Sequence, residues 1–105
     1  MGRVAAQPGD MCYFCGDNAG IIEIKSSTHP YRIAKDKISQ LPILHKLDLA
    51  GGKSVVLILH SELNLWRAVL PSQLPFGVPS WDLSGFPTYT TAEEALLSTG
   101  YFCER

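Results

Sequence analysis

Residues Val55 to Leu59 are five consecutive apolar positions, and this run constrains the fold more than any other feature. A strand that alternates apolar and polar residues shows one face to solvent, whereas one that is apolar throughout is buried on both. Gly51 and Gly52 punctuate the chain just before it, so Lys53 to His60 reads as a central strand of a sheet. Leu65 to Leu70 alternates Trp66, Ala68 and Leu70 against Arg67 and Val69 and is expected to lie beside it, with Ser61 to Asn64 as a hairpin loop.

Upstream, Ile21 to Lys25 has the period of a strand, with Ile22 and Ile24 on one face and Glu23 and Lys25 on the other. The segment Met11 to Phe14 can pair with it across a turn supplied by Gly16 to Gly20. A further short strand is expected over Tyr31 to Lys35, after the break at Ser26 to Pro30. Asp36 to Asp48 carries Ile38, Leu41, Leu44 and Leu47 at helical spacing but is interrupted by Pro42. Proline is tolerated only in a first helical turn, so the expectation is a short turn before Pro42 and a new helix beginning there.

Pro71 to Tyr89 holds four of the seven prolines and the aromatics Phe76, Trp81, Phe86 and Tyr89. Neither a regular helix nor a central strand accommodates this composition, and it reads as an extended loop held down by its rings. Thr91 to Glu94 matches a capping box and starts a helix expected over Ala92 to Thr99, with Gly100 as its stop. Tyr101 to Cys103 is expected to return as an edge strand. The fold class that follows is α+β: a small antiparallel or mixed sheet of four to five strands with one short C-terminal helix. Short strands separated by glycine and proline allow such a sheet to curl into a partly open barrel. Residues 1–10 read as a flexible tail and residues 11–105 as one domain, the count that 105 residues favours.

No apolar run approaches the roughly 20 residues needed to cross a bilayer, and the N-terminal residues lack the apolar centre of a secretory signal. A cytoplasmic setting without membrane is the default expectation. Charged residues make up 18% of the chain, below the roughly 25% usual for such domains, which leaves room for apolar surface covered by a protein partner or a second copy of the chain. Net charge is −1, yet Lys25 to Lys53 carries six basic residues against two acids, while the chain from Glu62 onward carries five acids against two arginines.

Four sets of residues are candidates for chemistry. Cys12 and Cys15 have the spacing at which two thiolates meet one zinc ion, with His29 and Cys103 available to complete the set. An odd number of cysteines, three, points to free thiols or a metal rather than a disulfide framework, and a Cys-x-x-Cys pair also serves as a redox dithiol elsewhere. His60, at the end of the apolar strand, or the Cys12/Cys15 pair is the candidate catalytic group of a small enzyme whose site would include the 71–89 loop, His60 as a general base. Lys25, Tyr31, Arg32, Lys35 and Lys37 combine an aromatic platform with cations, as a single-stranded nucleic-acid surface does, although the net charge argues against that partner. Trp66, Trp81, Phe86 and Tyr89 are the candidate patch for a ligand or protein partner. No nucleophile elbow, phosphate-binding glycine loop or His-Glu-x-x-His helix occurs, and Glu93 and Glu94 are accounted for by capping. The function expected from the sequence is therefore a non-enzymatic binding or protein-interaction module, with zinc as a structural candidate and the small enzyme or the nucleic-acid binder as alternatives.

Overall fold

The computed structural model describes residues 10–102. Asp10–Cys15 (β1) and Asn18–Ser27 (β2) form an antiparallel hairpin in which Cys15 faces Asn18 across Gly16-Asp17. Gly16 has φ 62° while Asp17 does not leave the negative range, the pattern of a two-residue turn whose first position favours glycine. The chain then leaves the sheet over residues 28–54 and returns as Val55–His60 (β4), parallel to β2 with Ser27 opposite His60. Leu65–Val69 (β5) folds back antiparallel on β4 through a loop closed by Asn64, at φ 54°. The sheet order is β1-β2-β4-β5, so the apolar run does occupy the centre, and the sheet is open rather than curled into a barrel.

The crossover carries Arg32–Ala34 (β3), a 3₁₀ turn at Lys35–Ile38, and the helix Leu41–Leu49 (α1). Pro42 sits in the first turn of α1, where its missing N–H would have had no helical acceptor. Gly51, at φ 99°, ends the helix, and the Gly52 N–H returns to the Leu47 carbonyl at 2.8 Å. β3 does not join the main sheet. It pairs with Ser80–Asp82 (β6), drawn from the segment expected to be wholly irregular, with Ile33 opposite Trp81. The last element, Ala92–Leu97 (α2), is capped by Thr91, whose Oγ1 accepts from the Glu94 N–H at 3.1 Å. The Glu94 carboxylate accepts from the Thr90 hydroxyl at 2.8 Å. Tyr101 and Phe102 are not in a strand, and Cys103 lies outside the described residues, as do residues 1–9 of the expected tail. Among the described residues no helix is long and apolar enough to cross a membrane.

Two cores lie on the two faces of the sheet, and β4 feeds both. Val56 and Ile58 join Ile33, Ile38, Leu41, Leu44, Val69, Leu74, Trp81 and Leu83 under α1 and the β3–β6 ribbon. Leu57 joins Tyr13, Ile22 and Ala95 under α2, with Ile24, Trp66, Ala68 and Tyr89 half-buried around them. The Tyr13 ring lies across from Gly20 and its hydroxyl donates to the Lys53 carbonyl. Burial and the neighbouring Tyr101 push the Tyr13 hydroxyl up to about 12, so this donor keeps its proton.

Gly20 is the position where this packing leaves no room. A Cβ there would stand 2.4 Å from the Lys53 carbonyl oxygen, whereas one at Gly85 would meet nothing within 4 Å. Gly20→Ala is expected to cost about 1–3 kcal/mol in urea unfolding, and Gly85→Ala to stay within about 0.5 kcal/mol of the parent. Equal effects at the two positions would mean that β2 does not approach Lys53 this closely.

Candidate functional site

Strand alternation in the β3–β6 ribbon turns Ile33 and Trp81 inward and Arg32, Ala34 and Ser80 outward. A cleft opens on each side. The first, of about 350 Å³, is walled by Ile38, Leu41, Pro42, Phe76 and Trp81, with Lys35, Asp36 and Ser39 adding polar groups. Trp81 is fixed there because its indole N–H donates to the Pro75 carbonyl at 2.8 Å. Phe76 stands at the lip with 59% of its surface exposed and its ring 4.6 Å from that of His45. The second cleft, of about 290 Å³, lies at the carboxyl end of the parallel pair β2 and β4. Its lining combines Ser26, Ser27, Thr28 and Ser80 with His29, Arg32 and Lys37.

Beneath the second cleft lies a buried polar cluster. His60 is wholly buried, and its Nδ1 stands 2.7 Å from the His29 carbonyl while its Nε2 stands 2.9 Å from Arg67 Nη1. A carbonyl can only accept and a guanidinium only donate, so the ring is neutral with its proton on Nδ1. Arg67 is itself buried and also donates to the carbonyls of Pro30 and Phe86 at 2.9 and 3.0 Å. The cluster thus ties the β4–β5 hairpin to two separate loops. Burial lowers the His60 pKa, and the charge on Arg67 lowers it further, against the hydrogen bond to His29, which raises it. Burial also lowers the pKa of Arg67, opposed by Asp82.

The residues singled out by sequence are distributed as follows. Cys12 and Cys15 both lie in β1, where residues three apart point to opposite faces. Cys12 is an exposed free thiol, whereas Cys15 packs against the α2-side core. Two thiolates so arranged do not meet one metal ion. His29 follows the far end of β2, about 20 Å along the strand from the position opposite Cys12, and Cys103 lies outside the described residues. Among the described residues no three histidines, cysteines or acids are grouped closely enough to hold a metal ion. Cys15 is disulfide-bonded, which differs from the free thiols or metal expected from the odd cysteine count.

His60 does not reach a surface, so its expected role as a general base is replaced by one inside the hydrogen-bonded cluster. The aromatic patch divides between the two faces of the sheet: Trp66 and Tyr89 pack on the α2 side, Trp81 and Phe86 on the α1 side. Trp66 and Tyr89 exchange backbone hydrogen bonds at 2.8 Å, which gives them a structural task at the β5 edge. The basic set also divides. Lys25 is paired at 2.8 Å with the buried Glu23, and Lys35 faces the apolar cleft. Arg32 and Lys37 share the second cleft, with Tyr31 exposed at 43% and its ring edge-on to His29 at 4.5 Å. Sequence reasoning missed Arg67 and the hydroxyls around Arg32, because an arginine alternating within an apolar strand reads as a solvated position.

Comparison of the chain with protein-family models, with curated proteins and with solved structures returns no match.

The buried cluster makes stability depend on pH. A folded-state pKa below the ordinary value near 6.5 means that the unfolded ring takes up a proton first as pH falls, so the contribution of His60 is complete above that value and declines below it. Thermal unfolding followed by circular dichroism is expected to give a Tm that is level above pH 7 and falls below about pH 6.5, a decline that His60→Asn reduces. Arg67→Met removes the donor to the buried His60 ring and to two part-buried loop carbonyls and is expected to cost about 1–3 kcal/mol for each acceptor left without a partner. A fully stable Arg67→Met would show that the cluster holds nothing together. Alkylation without reductant is expected to label Cys12 and leave Cys15 unmodified until reductant is added.

Proposed function

We propose that this chain is a non-enzymatic binding module and that its recognition element is the apolar cleft beside Trp81, which takes an aromatic or branched aliphatic side chain presented by a protein partner. The observation that carries the reading is the cleft itself: about 350 Å³, within the range of roughly 300–1,000 Å³ that small-ligand sites occupy. Its walls are apolar and fixed, with Ile38 and Leu41 anchored in the core and Trp81 held by its indole hydrogen bond. A rigid wall loses little entropy when a ligand arrives.

A protein side chain suits the cleft better than an enclosed small molecule because the rim is exposed and apolar. Pro42 and Phe76 stand around it, Phe76 with 59% of its surface open to water. An anchor seated in the cleft would cover them with the surface it projects from, which is how a central anchor and its surrounding ring of contacts exclude water. The sparse charge of the chain, 18%, fits a domain that leaves apolar area to a partner.

Titration with N-acetyl-tryptophanamide, followed by amide and indole chemical shifts, tests this reading. Saturable shifts confined to Ser39, Leu41, Gly77 and the Trp81 indole N–H are expected, with millimolar affinity, and the variant Ser39→Trp, whose added ring would fill the cleft, is expected to weaken them by about tenfold or more. Shifts absent from these positions, or scattered equally over Phe14, Leu49 and Leu63, would remove the cleft as a recognition element.

A further inference from the structure

The second cleft is walled mainly by hydroxyls and cations where the first is walled mainly by apolar side chains, and it carries a separate inference. We propose that the space between Ser26–His29 and the outer face of the β3–β6 ribbon is a binding site for a phosphoryl group borne on a small molecule. The inference does not depend on the apolar cleft.

Among the described residues the lining holds donors and no carboxylate. Arg32 and Lys37 supply positive charge, and Ser26, Thr28 and Ser80 supply hydroxyls, while the Ser27 hydroxyl is spent on the Arg32 carbonyl; Ala34 is the one apolar member among the described residues. His29 accepts the Tyr31 N–H on Nδ1 at 3.2 Å, so its ring carries a proton on Nε2, which is left as a donor. Ser80 Oγ accepts from Arg32 Nη1 at 3.0 Å, which leaves the serine's own O–H free to donate. Arg32 also meets Asp82 at 3.5 Å, with both side chains about half exposed, a loose pairing that positions the guanidinium without saturating its five donors. A cavity with this inventory favours a tetrahedral oxyanion with several acceptor oxygens, since a carboxylate could engage fewer of the donors and a cation none.

Two further observations concern the frame rather than the lining. The loop that carries His29 is fixed from both sides. Ser27 Oγ donates to the Arg32 carbonyl at 2.6 Å and accepts the His29 N–H at 3.1 Å, while the carbonyls of His29 and Pro30 are held from below by His60 and Arg67. The donors are therefore in place before a ligand arrives. Arg67 is buried at 6% exposure with three neutral acceptors and no carboxylate in ion-pair contact among the described residues. Its charge is poorly screened, and it adds to the positive potential above the Pro30 carbonyl. Of the acids among the described residues, Asp82 alone stands against Arg32, and it does not line the cleft. The volume, about 290 Å³, also accommodates the fragment to which the phosphoryl group is attached.

The test is a chemical-shift titration of the intact chain with inorganic phosphate, AMP and, as a control of equal ionic strength, sodium chloride. Phosphate and AMP are each expected to give saturable shifts at Ser27, Thr28, His29, Arg32 and Ser80 that chloride does not reproduce. A tighter AMP response identifies an organic phosphate as the occupant, and an equal response identifies the phosphoryl group alone as what is read. Arg32→Gln and Lys37→Gln are each expected to weaken the response by about tenfold, as loss of a charge-assisted hydrogen bond does. Lys37 makes no hydrogen bond or ion pair within the described structure, so its variant keeps the test informative even where Arg32→Gln disturbs the ribbon. A response that chloride reproduces, that spreads equally to Lys46 and Lys53, or that survives Lys37→Gln unchanged overturns the proposal.

Discussion

β4 is buried on both faces, and it can be so only because each face has its own cover. Val56 and Ile58 are shielded by α1 and the ribbon, and Leu57 by α2 with the rings of Trp66 and Tyr89 around it. The parallel pairing of β4 with β2 requires a crossover, and the crossover supplies α1 and β3. The segment after β5 then supplies β6 for the ribbon and α2 for the opposite face. A chain with one-sided β4 could have stopped at a meander. Burial on two sides makes residues 28–54 and 71–102 obligatory parts of the core.

Two-sided burial also explains why a histidine and an arginine lie inside. Strand alternation sends His60 and Arg67 to the same face as Ile58 and Val69, beyond the end of the area that α1 covers. The loops at residues 28–31 and 84–88 close that end, and loops bring carbonyl groups that need donors. Arg67 supplies several from one side chain. A leucine there would bury as much apolar surface and leave the carbonyls of Pro30 and Phe86 without hydrogen bonds, a loss of about 1–3 kcal/mol for each unsatisfied group. The polar cluster is thus the condition for capping this face with irregular chain, and the second cleft is built on its outer surface.

The sequence made the main strands legible because their signals are local. The apolar run of β4, the alternation of β5, the proline in the first turn of α1 and the threonine cap of α2 each act within a few residues. What it did not reveal depends on contacts between distant segments. β6 lies in a stretch of prolines and aromatics with no strand period, and it is extended because Trp81 pairs with Ile33 across nearly fifty residues. The Cys-x-x-Cys spacing misled for a related reason: three residues apart is one side of a metal-binding turn but opposite sides of a strand, and pairing with Ile21 and Asn18 makes β1 a strand. The aromatics Trp66, Trp81, Phe86 and Tyr89 read as one patch because they are close in sequence, whereas the sheet passes between them. Of the basic residues, spacing alone could not separate Lys25, consumed by buried Glu23, from Arg32 and Lys37, which remain at a surface.

The β3–β6 ribbon is the part of the molecule where structure and recognition meet. It spans only three residues on each strand, too little to be stable by itself, and it is held because Ile33 and Trp81 are buried in the larger core. The same alternation that commits those two side chains inward leaves Arg32, Ala34 and Ser80 outward. A strand pair anchored through one face presents its other face in a fixed geometry at no additional cost in order. One short ribbon can therefore wall an apolar cleft with its inner tryptophan and a cationic cleft with its outer arginine. The two surfaces remain chemically separate because the period of two allows no residue to face both sides.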